Sequence, residues 1–230
     1  MNDALLQNAR NKSREIFRAL RSGTQPSDRE FDEVFATETR QLSSAHWTPV
    51  RVAVCAAKML VTSPRTKVLD IGCGSGKFCL IGAATQTVSF AGIDQRHHLL
   101  LEGEAIARSA NISNVEFIHG NMMDLDWSDY NAFYLYNPFL ENVCMPAMID
   151  ETVALKPEYF YMYVEAVQLK LMVLPVGTRV VTYHGFGGEM PYGYRMVANK
   201  EIGSDFLQCW IKESDFVVKA GATRAIVWKG

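Results

Sequence analysis

The sequence predicts an α/β fold, with a mostly parallel sheet, helices on both faces, an antiparallel final strand and a helical cap at the N-terminus. Three observations carry this. The apolar run Lys67-Val-Leu-Asp-Ile71 leads directly into a glycine-rich turn, Gly72-Cys-Gly-Ser-Gly76, and then into a helical segment. Beyond it, β-type segments alternate with helical periodicity, the rhythm of βαβ units. Two β-type segments lie close together at the C-terminal end, the pattern of a hairpin.

The elements follow in order. Leu5, Leu6, Ala9, Ile16, Phe17 and Leu20 recur at helical spacing and Gly23 supplies a stop, so residues 3–22 are predicted as an amphipathic helix. Ser27-Asp-Arg-Glu30 is a capping box that opens a short helix with Phe31, Val34 and Phe35 on one side. Thr48-Pro49 is expected to cap a third helix, from Pro49 to Val61. Strands are predicted at Lys67–Ile71, Val88–Asp94, Val115–His119, Ala132–Tyr136 and Thr178–His184, with helices after Gly76, over Leu99–Ala110 and over Tyr159–Leu174. Phe206–Lys212 and Ala222–Lys229, separated by Glu213-Ser-Asp, are expected to form the closing hairpin. There is no internal repeat, low-complexity tract or long linker.

Composition bounds the function. A chain of 230 residues with 48% hydrophobic and 21% charged content suits one α/β domain with a substantial core. Its net charge of -2, from 23 basic and 25 acidic residues, provides no strong field for nucleic acid or an anionic membrane. Cys55, Cys73, Cys79, Cys144 and Cys209 are scattered and form no C-x-x-C pair, so they read as free thiols in a reducing compartment and not as metal ligands. No basic stretch followed by an apolar core opens the chain, and no apolar run approaches the roughly 20 residues of a membrane span. A cytoplasmic location is the expectation.

The glycine turn points to a nucleotide-type ligand. Alternate glycines allow positive φ and close approach to the main chain, and the following helix aims free N–H groups at the same spot. Asp94 closes the second strand, where its carboxylate can accept from both ribose hydroxyls. A dinucleotide fingerprint needs a third glycine at position 77, and Lys77 stands there, which argues against NAD and FAD. The spacing suits a ligand with an amino-acid head, whose ammonium group Asp70 could engage directly or through water.

At this point the chain resembles the class I S-adenosylmethionine-dependent methyltransferases, whose first motif matches Val68-Leu-Asp-Ile-Gly-Cys-Gly-Ser-Gly76. The resemblance implies a Rossmann-like seven-stranded sheet whose last strand inserts antiparallel. It also implies an N-terminal helical extension over residues 1–46 and a methyltransferase domain over 47–230. The implied cofactor is S-adenosylmethionine, with S-adenosylhomocysteine as product. By the same resemblance Gly72, Gly74 and Gly76 face the methionine part, Asp94 the ribose and Gln95 the adenine edge. Asn121, in Gly120-Asn-Met122, stands where the family often has an Asp that binds the adenine amino group, and its amide oxygen can accept the same bond or simply form a turn. The implied cofactor set is thus Asp70, Gly72, Cys73, Gly74, Gly76, Asp94, Gln95, Asn121, Met122 and Asn137, and no metal is implied.

Strand four ends in Tyr136-Asn-Pro-Phe139, at the lip where open α/β sheets place ligands. The segment is similar to the Asn/Asp-Pro-Pro-aromatic motif of methyltransferases acting on exocyclic amines and amides, but lacks its second proline. Together with the stretch from Phe31 to Thr39, it also resembles uncharacterised bacterial members of the family. Asn137 and the Pro138 carbonyl can each accept an amine hydrogen, and Phe139 or Tyr136 can lie against positive charge; an Asn-Pro turn is the plainer reading. Glu141 can accept a proton or hold an ammonium group, or is an exposed helix-start glutamate. The candidate catalytic set is therefore Asn137, Pro138, Phe139 and Glu141. Residues 183–194 form a glycine- and aromatic-rich loop, a lid with Tyr192 or Tyr194 as contact surface, or a surface insertion. His184 is the general base if the acceptor is oxygen. His97 and His98 point in different directions, which argues against a metal. Trp47 lines the cleft or precedes the Thr48 cap. The expected function is methyl transfer to nitrogen on a protein side chain or small molecule. The alternatives are a nucleic-acid base methyltransferase, with Asn137-Pro-Phe139 holding a flipped base, and a cofactor-binding module without turnover. No membrane partner is expected.

Overall fold

The computed structural model describes residues 2–215, with side chains placed from residue 11 onward. In chain order the helices are α1 (Asn2–Arg21), α2 (Asp28–Phe31), α3 (Thr37–His46), α4 (Val50–Leu60), α5 (Lys77–Thr85), α6 (His97–Ser109) and α7 (Pro157–Val173). The strands are β1 (Lys67–Ile71), β2 (Ser89–Asp94), β3 (Val115–His119), β4 (Ala132–Tyr136), β5 (Arg179–Tyr183), β6 (Tyr194–Ile202) and β7 (Asp205–Lys212). They form a seven-stranded sheet in the order β3-β2-β1-β4-β5-β7-β6. The first five pair in parallel, and β7 inserts antiparallel between β5 and β6. The order reverses between β1 and β4, and open α/β sheets bind ligands at that point, beyond the carboxyl ends of the strands.

Strand alternation divides the core in two. Val68, Phe90 and Tyr134 point to the layer with α4 and α5, while Leu69, Ile71, Phe133 and Leu135 face Val167 and Leu171 of α7. The N-terminal helices belong to the first layer. Phe17 and Phe31 meet edge-on at 5.6 Å, Phe31 and Phe35 at 6.0 Å, and all three side chains are buried in the same core as Phe78 and Leu80.

The structure departs from expectation in three elements. Thr37–His46 is a helix with no apolar stripe; it buries Thr39 and Ser43, small polar groups that periodicity does not flag. Thr48 does not cap α4: the Val50 N–H donates to Asp28 Oδ1 at 2.8 Å, while Thr48 Oγ1 lies 3.1 Å from the Tyr134 hydroxyl. The partner of β7 is β6, joined to it through Gly203-Ser204; the expected strand Ala222–Lys229 lies outside the described residues. Among the described residues β6 is a sheet edge, with mostly half-buried and exposed residues and a bulge between Met196 and Ala198, so its alternation is weakly apolar.

Lys77, the first residue of α5, fastens the N-terminal helices to the sheet. Its side chain is only 2% exposed, with Nζ 2.8 Å from Asp28 Oδ1, 2.7 Å from Asp32 Oδ1 and 3.2 Å from Ser43 Oγ, and it lies over the Phe31 ring. Removing one partner of a buried ion pair strands the other charge away from water, at a cost of about 3 kcal/mol or more. Lys77→Met is therefore expected to lower the unfolding free energy by about 3 kcal/mol, measured by urea denaturation. A loss below the roughly 1 kcal/mol of an exposed pair would contradict this role.

Candidate functional site

The turn after β1 is closed by its neighbours. The N–H groups of Gly72 and Cys73 both donate to the Ile93 carbonyl at 3.0 Å. The Gly74 N–H donates to Asp94 Oδ2 at 2.9 Å, and the Arg96 N–H to Asp94 Oδ1 at 2.8 Å. Asp94 thus ties the turn to the start of α6. A Cβ on Gly74, whose φ is +55°, would stand 2.3 Å from the Trp47 ring, and one on Gly72 would stand 2.8 Å from Pro138 Cβ. The third glycine, Gly76, backs onto the Phe117 ring.

A cavity of about 310 Å³ opens over the carboxyl ends of β1, β2, β4 and β5. Of the residues singled out from sequence, Gly72, Gly74, Asp94, Gln95, Met122, Asn137, Pro138, Phe139 and Glu141 line it, together with Trp47 and His184. Asp70, Cys73, Gly76 and Asn121 do not. Asp70 lies beneath the turn, 4% exposed, accepting from Cys79 Sγ at 3.5 Å. Burial pushes its carboxyl up to about 8 and drives the Cys73 and Cys79 thiols upward as well. Asn121 uses its amide oxygen on the Met123 N–H at 3.0 Å, so that atom serves its own turn, while Nδ2 donates to the Tyr163 hydroxyl at 3.0 Å.

Glu141 is neither an exposed helix-start residue nor an unengaged base. Both its oxygens meet the Arg96 guanidinium, at 3.1 and 2.7 Å, and Oε2 also accepts from the Ile149 N–H. Burial still raises its carboxyl above the ordinary glutamate range, against the pull of these partners. Arg96, 6% exposed, also donates from Nε to Asp150 Oδ1 at 3.1 Å. This clamp holds residues 140–155 against the cavity, where Leu140, Ala147, Ile149, Val153, Ala154 and Leu155 make an apolar wall. Neither Arg96 nor that wall was flagged from sequence, because the clamp pairs residues 45 and 54 positions apart.

On the opposite side, Asn137 adopts φ +42° and its N–H donates to the Gly185 carbonyl at 2.9 Å. Among the described residues nothing hydrogen-bonds its side-chain amide or the Pro138 carbonyl. His184, at φ +55°, stacks on Tyr136 with ring centres 5.5 Å apart. Its Nδ1 lies 2.8 Å from Asp205 Oδ2 and its Nε2 lies 3.2 Å from Ser204 Oγ. The loop after it is seated on α7: Phe186 is buried, Gly187 packs on Phe160, and Gln168 donates to the Glu189 carbonyl. Tyr194 begins β6 and donates to the Leu171 carbonyl. His97 stacks on His119, and His98 lies 3.4 Å from Asp150; no group of three or more metal-binding side chains occurs among the described residues.

Comparison with known proteins agrees with this geometry. Residues 62–154 match a family described as Methyltransferase domain. Demethylmenaquinone methyltransferases from Bacillus mycoides and Bacillus cereus are 30% and 29% identical over 105 residues, 44% of this chain and 44% of each relative. The chain therefore spans less than half the length of these curated relatives. Among solved structures, an RNA methyltransferase from Salinibacter ruber in complex with S-adenosyl-L-homocysteine superposes with a TM-score of 0.52 at 19% identity, covering 76% of this chain and 99% of that one. TrmN from Thermus thermophilus gives 0.53 at 18% identity, covering 75% and 51%. At these identities the likeness shows the fold.

The buried acid beneath the turn makes stability depend on pH. In the folded chain Asp70 keeps its proton up to about pH 8, whereas an unfolded aspartate loses it near pH 3.9. Between these limits the folded state binds the extra proton, so stability falls as pH rises from about 4 to about 8 and levels off above. Asp70→Asn is expected to flatten this slope and to be more stable than the parent at pH 8, with little difference at pH 4, in thermal unfolding at constant ionic strength. An undiminished slope would contradict the assignment.

Proposed function

We propose that this chain, which carries a methyltransferase domain on the class I, Rossmann-like fold, transfers a methyl group from S-adenosylmethionine to an amine nitrogen of a small molecule or protein side chain. The residues present suit that cofactor. Gly72, Gly74, Asp94, Gln95, Met122 and Phe139 all line the cavity, and the Asp94 carboxylate holds the Gly74 N–H of the glycine turn. When bound, S-adenosylmethionine supplies a methyl group on a positively charged sulfur.

The observation that carries the nitrogen reading is Asn137. Its backbone is held in a left-handed conformation at the lip of the cavity, with the side-chain amide unbonded among the described residues. Asparagine takes this conformation more readily than other side-chain-bearing residues, and here the bond from its N–H to the Gly185 carbonyl fixes it. Asn137 Oδ1 and the Pro138 carbonyl can accept amine hydrogens and so aim the nitrogen lone pair. Tyr136 and Phe139 line the same cavity and can lie against the positive charge that develops on the nitrogen as it is methylated. His184 also lines the cavity, with both ring nitrogens engaged, Nδ1 by Asp205 and Nε2 by Ser204 Oγ. The apolar wall from Leu140 to Leu155 favours an acceptor with an apolar body over a nucleic acid, and the net charge of -2 offers little gain from displacing counterions.

The test follows radiolabelled methyl from S-adenosylmethionine into protein, nucleic-acid and small-molecule fractions of a cell extract. Label is expected in the small-molecule or protein fraction and should vanish with Asp94→Ala. Asn137→Ala should lower transfer about 10- to 100-fold while calorimetric cofactor affinity changes less than about twofold. Unchanged transfer by Asn137→Ala would remove that residue from the reaction, and nuclease-sensitive label would move the acceptor to nucleic acid.

A further inference from the structure

An alkyl amine reaches the site as an ammonium group, since its pKa is about 10, and its nitrogen has no lone pair to offer until one proton has gone. Of the charged and titratable groups that line the cavity, all but one are engaged or already hold their proton. Asp94 accepts from the Gly74 and Arg96 N–H groups, one on each oxygen. Both oxygens of Glu141 meet Arg96, and both ring nitrogens of His184 have partners in Asp205 and Ser204. Arg96 is a cation, and Tyr136 and Tyr163 carry phenols, whose neutral form holds its own proton. His46 remains. It is half-buried, no hydrogen bond reaches its ring among the described residues, and neither ring nitrogen is enclosed by protein. Burial, with the Arg96 guanidinium behind it, holds its imidazole below the ordinary histidine range, so it meets the substrate neutral.

The glycine turn sets His46 beside the Asn137 lip. His46 ends α3, and its ring leans against Trp47 with centres 5.8 Å apart. Trp47 is fixed in turn: its Nε1 donates to the Thr39 carbonyl at 3.0 Å, and its ring fills the room beside Gly74. Pro138 fills the room beside Gly72. The Cα atoms of residues two apart in a chain are separated by at most about 7 Å, so the turn carries His46-Trp47 and Asn137-Pro138 as close neighbours on one cavity. We infer that His46 is the proton acceptor of the methyl transfer proposed above, taking one proton from the ammonium group of the substrate while Asn137 Oδ1 and the Pro138 carbonyl hold the other two. The electron pair of that N–H bond stays on nitrogen and forms the bond to the methyl carbon, as the carbon–sulfur bond breaks with its pair going to sulfur. The proton on His46 then passes to water at the cavity mouth. Transfer from ammonium to imidazole is uphill, and methylation consumes the free amine and draws it on. The assignment rests on the amine reading of the site.

The test compares the unmodified chain with His46→Gln across pH, at saturating S-adenosylmethionine, with the extract fraction that takes label from the unmodified chain as acceptor. His46→Gln should transfer about 100-fold more slowly at pH 7. The deficit should shrink to less than about fivefold at pH 9.5, where the solvent itself supplies free amine. Asp94, Arg96, Tyr136, Glu141, Tyr163 and His184 are present in both chains, so the ratio of the two isolates His46. Calorimetric affinity for S-adenosylhomocysteine should agree within about twofold between the chains, which shows the variant folded. Equal transfer at pH 7, or a loss of the same size at every pH, would overturn the assignment and leave the cofactor and amine readings standing. Loss of S-adenosylhomocysteine binding by the variant would mark a structural role and overturn it as well. Absence of label from every fraction with the unmodified chain would instead overturn the reading on which the assignment rests.

Discussion

The space left by three missing side chains organises this molecule. Trp47 occupies the room beside Gly74, Pro138 that beside Gly72, and Phe117 that beside Gly76. These fillers come from three separate places, the N-terminal helices, the lip of β4 and the strand β3. One turn of the backbone therefore sets the position of three walls, and interiors packed to crystalline density admit no Cβ at distances of 2.1 to 2.8 Å. The glycines serve packing as much as ligand approach, and Gly76, which stands off the cavity, combines that packing with a left-handed φ of +75° at the start of α5.

Two buried cations extend the same logic. Lys77 opens α5 and Arg96 precedes α6, each at the positive end of a helix dipole, the end that disfavours positive charge. Each is compensated by carboxylates from afar: Asp28 and Asp32 for Lys77, Glu141 and Asp150 for Arg96. The pairing draws the chain around residues 28–32 and 141–150 towards the helix starts that frame the cleft. Burial makes these pairs specific in geometry, since a displaced partner leaves a charge with neither water nor counter-ion.

Much of this was legible beforehand because it is written in local pattern. The bounds of β1, β3 and β4, the turn, the acid at the end of β2 and the capping box at Ser27 are short-range signals with direct physical meaning, and the structure places them as expected. What escaped depends on distance in the chain. Glu141 reads as a proton acceptor, an ammonium holder or an exposed helix start because nothing nearby in sequence announces Arg96. Asp70 looked like a ligand contact because the strand pattern says which face it takes but not what covers that face. Helix α3 escaped because it buries Thr39 and Ser43, and β6 because an edge strand carries little apolar signal. Tyr163 was hidden inside a helical stretch apolar on several sides, where one polar tip has no periodicity.

The bulge in β6 bears on how this chain meets its own copies. Among the described residues β6 is an outer strand of the sheet, and an outer strand offers backbone groups that a second chain could extend. The break in register between Met196 and Ala198 interrupts the even ladder such an extension needs, and Arg195, Lys200 and Glu201 place charge along the strand on either side. A docking strand would have to match an irregular spacing and bury those charges at once. The border of the sheet is thus insulated by its own irregularity, which lets strong β-forming segments such as Phe206-Leu-Gln-Cys-Trp-Ile211 lie one strand inward, shielded from aggregation.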